Sequence, residues 1–163
     1  MPIVGGSILN HEHFQGGNYT LPMFNSSYKE IYYSKEFPSL KIGILNWYNS
    51  TITFEGTNKE ELFEFAKRII DTWRDFNYEE CSILSHSGST PHNVITPVLR
   101  KENGKYAFYF ILRNNRTNEE YPDGIFHVHK EYFNIKSEGI GLIEAMGLFI
   151  LPARLIRQFK TIK

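Results

Sequence analysis

The sequence predicts an α+β domain: a mainly antiparallel sheet of about five or six strands flanked by helices. Three observations predict it. Two pairs of alternating apolar runs, each broken by a turn signal, read as hairpins, and one stretch between them carries a helical period instead. Aromatic residues make up 15% of the chain within a hydrophobic content of 41%, which suits a sheet-rich core. A length of 163 residues is that of one domain, spanning 1–163, with a core of its own.

The elements follow in order. Gly5 to Gly17 holds His11, His13 and Gln15 at a spacing of two. A strand turns all three to one face, whereas a helix would rotate successive ones by about 200°. Asn18 to Ser27, polar and containing Pro22, reads as loop. Leu40, Ile42 and Ile44 alternate towards Trp47, and Ile52 with Phe54 alternate after Asn49-Ser50, which predicts a hairpin beside the first strand. Thr57 or Asn58 caps a helix, with Glu60 closing a capping box from Thr57. Leu62, Phe65, Ala66, Ile69, Trp73 and Phe76 form its single apolar stripe, a core stripe that covers one face of the sheet.

Cys81 to Pro91 is a Ser/Gly-rich loop around His86. Val94 to Arg100 and Lys105 to Arg113 alternate about Asn103-Gly104, the signal of a type I′ hairpin. Tyr106, Phe108, Phe110 and Leu112 share one face and Ala107, Tyr109 and Ile111 the other, so both faces are expected to be covered. Gly124 to Lys130 reads as a short strand with His127 and His129 on one face. Ile140 to Leu151 reads as an apolar helix in which Glu144 is exceptional. Pro152 suits the first turn of a final helix through Leu155, Ile156 and Phe159. Both of these helices are expected to pack on the sheet.

The chemistry concentrates in Gly5 to Gly17. Two imidazoles and a carboxamide converge there, and the flanking glycines, Gly16 and Gly17 among them, let a phosphate approach backbone N–H groups. A neutral imidazole is a competent nucleophile when a neighbour fixes its tautomer. His11 would orient and His13 attack, while the Gln15 amide would hydrogen-bond a phosphoryl oxygen as charge shifts. Structural histidines on a half-buried strand are the competing reading. Arg116, just past a strand, either grips phosphate in bidentate fashion or lies in a solvated turn. His127 and His129 read as a metal pair, as phosphate contacts or as structural residues, because two ligands do not complete a metal site.

Composition excludes several classes. Lys plus Arg and Asp plus Glu number 18 each, so no net basic charge points to nucleic acid or a membrane surface. The single cysteine, Cys81, excludes an internal disulfide and a Cys-pair zinc site within this chain, and fits a reducing cytoplasm. The longest apolar stretch, near Met146 to Leu151, is far too short to span a bilayer.

Gly5-Gly6-Ser7-Ile8-Leu9-Asn10-His11-Glu12-His13-Phe14-Gln15-Gly16-Gly17 resembles the active-site segment of the galactose-1-phosphate uridylyltransferases of the second class, common in Gram-positive bacteria. Pro91 to Pro97, Leu112 to Thr117, Gly124 to His129, Ile140 to Leu148 and Leu151 to Leu155 are similar to that family's C-terminal signatures, in the same order. The resemblance implies half of a histidine-triad-like transferase fold. It implies that a uridylyl group passes from UDP-glucose to a histidine nitrogen, and then to galactose 1-phosphate to give UDP-galactose. Residue by residue, it makes His13 the nucleophile, Gln15 its partner and His11 the first histidine of the pair. It sets Ser7 near the phosphates and His92 and Asn93 at the substrate. In first-class relatives a comparable C-terminal His-x-His holds a metal, so a divalent metal is a possible cofactor. Asn10 and Glu12 depart from the Ser and Asp common in relatives.

Family members are considerably longer, so the resemblance implies that this chain is the C-terminal part of an enzyme, partnered by an upstream region, with a homodimer as a further option. Two alternatives stand beside nucleotidyl transfer. One is a hydrolase or phosphorylase of the same superfamily, in which water or phosphate resolves the intermediate. The other is a non-catalytic fragment that only binds sugar nucleotide.

Overall fold

The computed structural model describes residues 14–135 and 140–161. Seven strands and three α-helices are defined there: β1 (Tyr28–Tyr32), β2 (Lys41–Leu45), β3 (Thr51–Gly56), α1 (Lys59–Arg74), β4 (His86–Ser87), β5 (Thr90–Pro91), β6 (Asn93–Glu102), β7 (Lys105–Asn114), α2 (Leu142–Ala145) and α3 (Arg154–Thr161). Five strands form one sheet in the order β1-β2-β3-β7-β6, with every pairing antiparallel, and β4 and β5 form a separate small hairpin. The α+β expectation is met.

The alternation of β7 explains the two-sided core. Phe54 and Phe110 lie under α1 with Phe37, Leu40, Ile42, Leu62 and Ala66. Phe54 is central, its ring 5.0 to 5.1 Å from those of Phe65, Phe108 and Phe110. On the opposite face Ile111 and Leu45 meet Met23 and Met146, with Tyr109 and Trp47 beside them. Both faces are covered, as the sequence predicts. The β6–β7 turn also forms as expected, Asn103 and Gly104 taking φ of 50° and 78°.

Five local readings need correction. Of Thr57 and Asn58 it is Asn58 that caps α1, its side chain accepting from the N–H groups of Glu60 and Glu61 at 3.1 and 3.3 Å while its amide reaches the Glu61 carboxylate, so the cap lies one residue later than a Thr57–Glu60 box would place it. The stretch 18–27 holds a 3-10 turn, Pro22–Asn25, that drives Met23 into the core with its N–H donated to the Met146 carbonyl at 3.1 Å. The edge strand β1 follows it directly, unmarked by any apolar alternation because four of its five residues are exposed.

The apolar run 140–151 is helical only over Leu142–Ala145, because Gly147 turns to φ 95° against Pro22 and Trp47. Its Glu144 is exceptional for a reason: the buried carboxylate accepts the Gly141 N–H at 2.8 Å, closing the helix start. α3 forms after Pro152 and buries Leu155, but Ile156 and Phe159 are exposed, and α3 contributes to neither core cluster. Lastly, Gly124 to Lys130 is a run of turns with no strand. Its N–H groups bond locally, His127 to Gly124 and Ile125 back to Arg116, so no ladder forms.

Candidate functional site

The polar residues singled out around positions 92 and 116 meet at one end of the sheet, where β6 begins, β7 stops and α1 arrives. Trp73, in the last turn of α1, donates its indole N–H to the carbonyls of Val94 and Arg113 at 3.1 and 3.3 Å, a pair opposed in the β6–β7 register. Asn93 Nδ2 donates to the Trp73 and Phe76 carbonyls at 2.7 and 2.8 Å, at the end of the helix where the Trp73 carbonyl also accepts the Phe76 N–H at 3.2 Å. Its Oδ1 accepts from Asn114 Nδ2 at 2.6 Å, and that same nitrogen donates to the Leu84 carbonyl at 2.8 Å. Asn93 and Asn114 are both buried. Their bonding capacity is used inside the chain.

His92 is buried too, and both ring nitrogens are engaged: Nδ1 lies 2.9 Å from Asn115 Oδ1 and Nε2 2.8 Å from Ser87 Oγ. An amide oxygen only accepts, so the neutral ring carries its proton on Nδ1 and Nε2 accepts from the Ser87 hydroxyl. Backbone bonds brace the arrangement. The His92 N–H donates to the Ser85 carbonyl at 2.7 Å and the Asn115 N–H to the His92 carbonyl at 3.1 Å. Arg116 Nη1 donates to the Ser82 carbonyl at 3.0 Å, tying the 82–91 loop to the end of β7. His86 is exposed on that loop, its Nδ1 3.1 Å from Ser85 Oγ.

A cavity of about 280 Å³ opens beside this knot, lined by Ile70, Trp73, Arg74, Asn93, Val94, Ile95 and Pro97. Arg113 is the residue that sequence reasoning passed over. It is half-buried on the sheet face opposite α1, in step with Tyr109 and Ile111, and among the described residues its guanidinium has no ion pair. Burial pulls its pKa below the ordinary arginine value. A cation held this way suits an anion. Its signal in the sequence was a charge at an inward position of an apolar strand.

The remaining candidates are dispersed. Ser7, His11 and His13 lie outside the described residues. Gln15, Gly16 and Gly17 are exposed and belong to no strand, and the space beside both glycines is open. His127 and His129 do not share a strand face: His127 Nδ1 lies 3.4 Å from the Val128 carbonyl oxygen, while His129 stacks on Tyr121 at 4.1 Å with Nε2 3.1 Å from the Ile125 carbonyl oxygen. Among the described residues no three His, Cys, Asp or Glu side chains gather that could hold a metal ion. His129 instead lines a small cleft of about 90 Å³ with Tyr121 and Glu131. No helix among the described residues is long and apolar enough to cross a membrane.

Residues 3–161 match the family described as galactose-1-phosphate uridyl transferase, C-terminal domain. Three curated proteins, each called galactose-1-phosphate uridylyltransferase, are similar over almost the whole chain. The one from Clostridium acetobutylicum is 48% identical over all of this chain and 33% of its own length. Those from Fusobacterium nucleatum and Bacillus subtilis are 45% and 44% identical, over 99% and 98% of this chain and 32% and 31% of their own. The chain thus spans about a third of the length of these relatives. No solved structure matches it.

Proposed function

The chain belongs to the galactose-1-phosphate uridyl transferase C-terminal-domain family, and we propose that it carries the reacting histidine of a transferase moving a uridylyl group between UDP-glucose and galactose 1-phosphate. His13 attacks the α-phosphorus in line; the N–P bond forms as the P–O bond to glucose 1-phosphate breaks. His11 orients the imidazole, and Gln15 donates to a non-bridging oxygen as charge builds there. Ser7, Gly16 and Gly17 lie along the phosphates. A phosphate oxygen of galactose 1-phosphate then attacks the same phosphorus, releasing His13 and forming UDP-galactose. Arg113, a half-buried cation, takes a phosphate of the substrate.

The observation that carries this reading is the collinearity of the Gly5–Gly17 segment with the later matching segments inside one family match over residues 3–161. The 163 residues act as one domain of a longer transferase, completed by an upstream region and in a reducing cytoplasm, which suits the exposed free thiol of Cys81. Exposure of every residue from Phe14 to Tyr19 favours a second reading, in which the chain binds sugar nucleotide and reacts only when other residues close over that segment.

Intact mass at neutral pH, after mixing the chain with UDP-glucose, tests both. A uridylyl adduct on the parent and none on His13→Ala is expected. An adduct that survives His13→Ala refutes the nucleophile. If the parent forms an adduct only when the upstream two thirds of a relative is added, the second reading holds. Delivery of labelled uridylyl to galactose 1-phosphate rather than to water separates transfer from hydrolysis.

A further inference from the structure

We propose that Ser87, His92 and Asn115 form a second nucleophilic centre, independent of the histidine transfer above, at which the Ser87 hydroxyl attacks activated phosphate esters. Three observations assign it. Ser87 Oγ lies 2.8 Å from His92 Nε2, and His92 Nδ1 lies 2.9 Å from Asn115 Oδ1, so a hydroxyl, a base and an orienting group stand in hydrogen-bond series. The Asn115 oxygen can only accept, which fixes the neutral ring with Nε2 as acceptor and leaves the Ser87 proton pointing at it. The oxygen lone pairs of Ser87 are thereby free for an electrophile. The base is buried while the nucleophile is exposed, and this division lets a substrate reach Ser87 without disturbing His92.

The centre is also held rigidly. Ser87 ends β4 at a tight turn into β5, where Gly88 takes φ 58° and the space beside it is open. The hairpin is fastened to the sheet by the His92 N–H bond to the Ser85 carbonyl and by the Ser85 N–H bond to Asn77 Oδ1, both 2.7 Å. Its surroundings choose the substrate class. Ser87, Gly88, Ser89 and Thr90 are all exposed and small or hydroxylated, and Ser87 does not line the apolar-walled cavity beside Trp73. A hydrated phosphoryl group fits such a setting, whereas an acyl chain would find no apolar slot.

In the reaction the Oγ–P bond forms as the bond from phosphorus to the leaving oxygen breaks. The Ser87 proton passes to His92 Nε2 and from there to the leaving alkoxide. A fluorophosphonate reports the first half, with fluoride leaving in place of the alkoxide.

The test incubates the whole chain with a fluorophosphonate probe and locates the label by peptide mapping. Label on Ser87, lost in Ser87→Ala and slowed about 100-fold in His92→Gln, is the expected result. Asn115→Asp adds a carboxylate behind the ring, which stabilises the imidazolium, and should speed labelling; this variant keeps the proposal falsifiable if His92→Gln fails to fold. Absence of label at Ser87, or a rate unchanged in a folded His92→Gln and in Asn115→Asp, overturns the proposal. Acetylation of Ser87 by p-nitrophenyl acetate without reaction toward the fluorophosphonate overturns the phosphate assignment.

Discussion

Replacing Asn93 by alanine separates a structural role from a ligand role at a position that sequence resemblance sets at the substrate. The side chain makes three bonds of 2.6 to 2.8 Å, two to the carbonyls of Trp73 and Phe76 and one from Asn114. Each buried partner left unsatisfied costs about 1–3 kcal/mol. Asn114 keeps its bond to Leu84, the Trp73 carbonyl keeps the Phe76 N–H, and the Asn93 site borders a cavity that can admit water to the Phe76 carbonyl, so the lower end of that range applies. The sum is about 3 kcal/mol, or a fall in Tm of about 6–12 °C for a domain of this size. Urea and thermal denaturation followed by tryptophan fluorescence measure it, with Trp73 itself the reporter at the joint. Asn93→Asp should cost more at neutral pH, since it turns a carboxylate oxygen on two carbonyls, and should recover partly in acid, when the protonated group donates once. A loss below about 1 kcal/mol in Asn93→Ala would refute the joint as a structural element and return Asn93 to the list of substrate contacts.

Three other perturbations probe the scaffold around the site. Thr51 is buried at the start of β3 and its hydroxyl has no hydrogen-bond partner among the described residues, so Thr51→Val should raise stability by about 1 kcal/mol in the same denaturation assay. Gly147→Ala forces a Cβ to 2.9 Å from Pro22 and Trp47 at φ 95°, and should cost about 1–3 kcal/mol, read as a lower urea midpoint. Arg68 donates twice to Glu36, at 2.5 and 2.6 Å, and this hydrogen bonding holds the Glu36 carboxyl below its ordinary 4.5. A lowered folded pKa gives stability that is present above the ordinary carboxylate value and is lost as pH falls through the folded one. Glu36→Gln should therefore melt below the parent at pH 7 and match it in acid, with a small difference because both side chains are mostly exposed.

Elements whose period reflects burial were legible one by one. α1 announces itself by a stripe every third or fourth residue, and β6 and β7 by alternation about Asn103-Gly104, because the apolar side chains that reach the core there do so from a fixed face. The edge strand β1 carried no such mark: a strand paired on one side, with its residues exposed, needs backbone partners more than apolar ones. Gly124 to Lys130 misled in the opposite sense. His127-Val128-His129 has the period of a strand, yet with no neighbour among the described residues offering a ladder its backbone closes on itself in turns.

The sequence by itself determined the fold class, the helix that covers one sheet face, the main hairpin and the family, since these rest on local periodicity and on matching segments in order. Only the tertiary structure decided the partners. It set Asn93 under the end of α1, closed Ser87, His92 and Asn115 into one chain of hydrogen bonds, and left Arg113 half-buried with no counter-charge among the described residues. Residues 87, 92 and 115 are joined by a sheet register and a hairpin, and a hydrogen bond acts over about 3 Å of space regardless of separation along the chain.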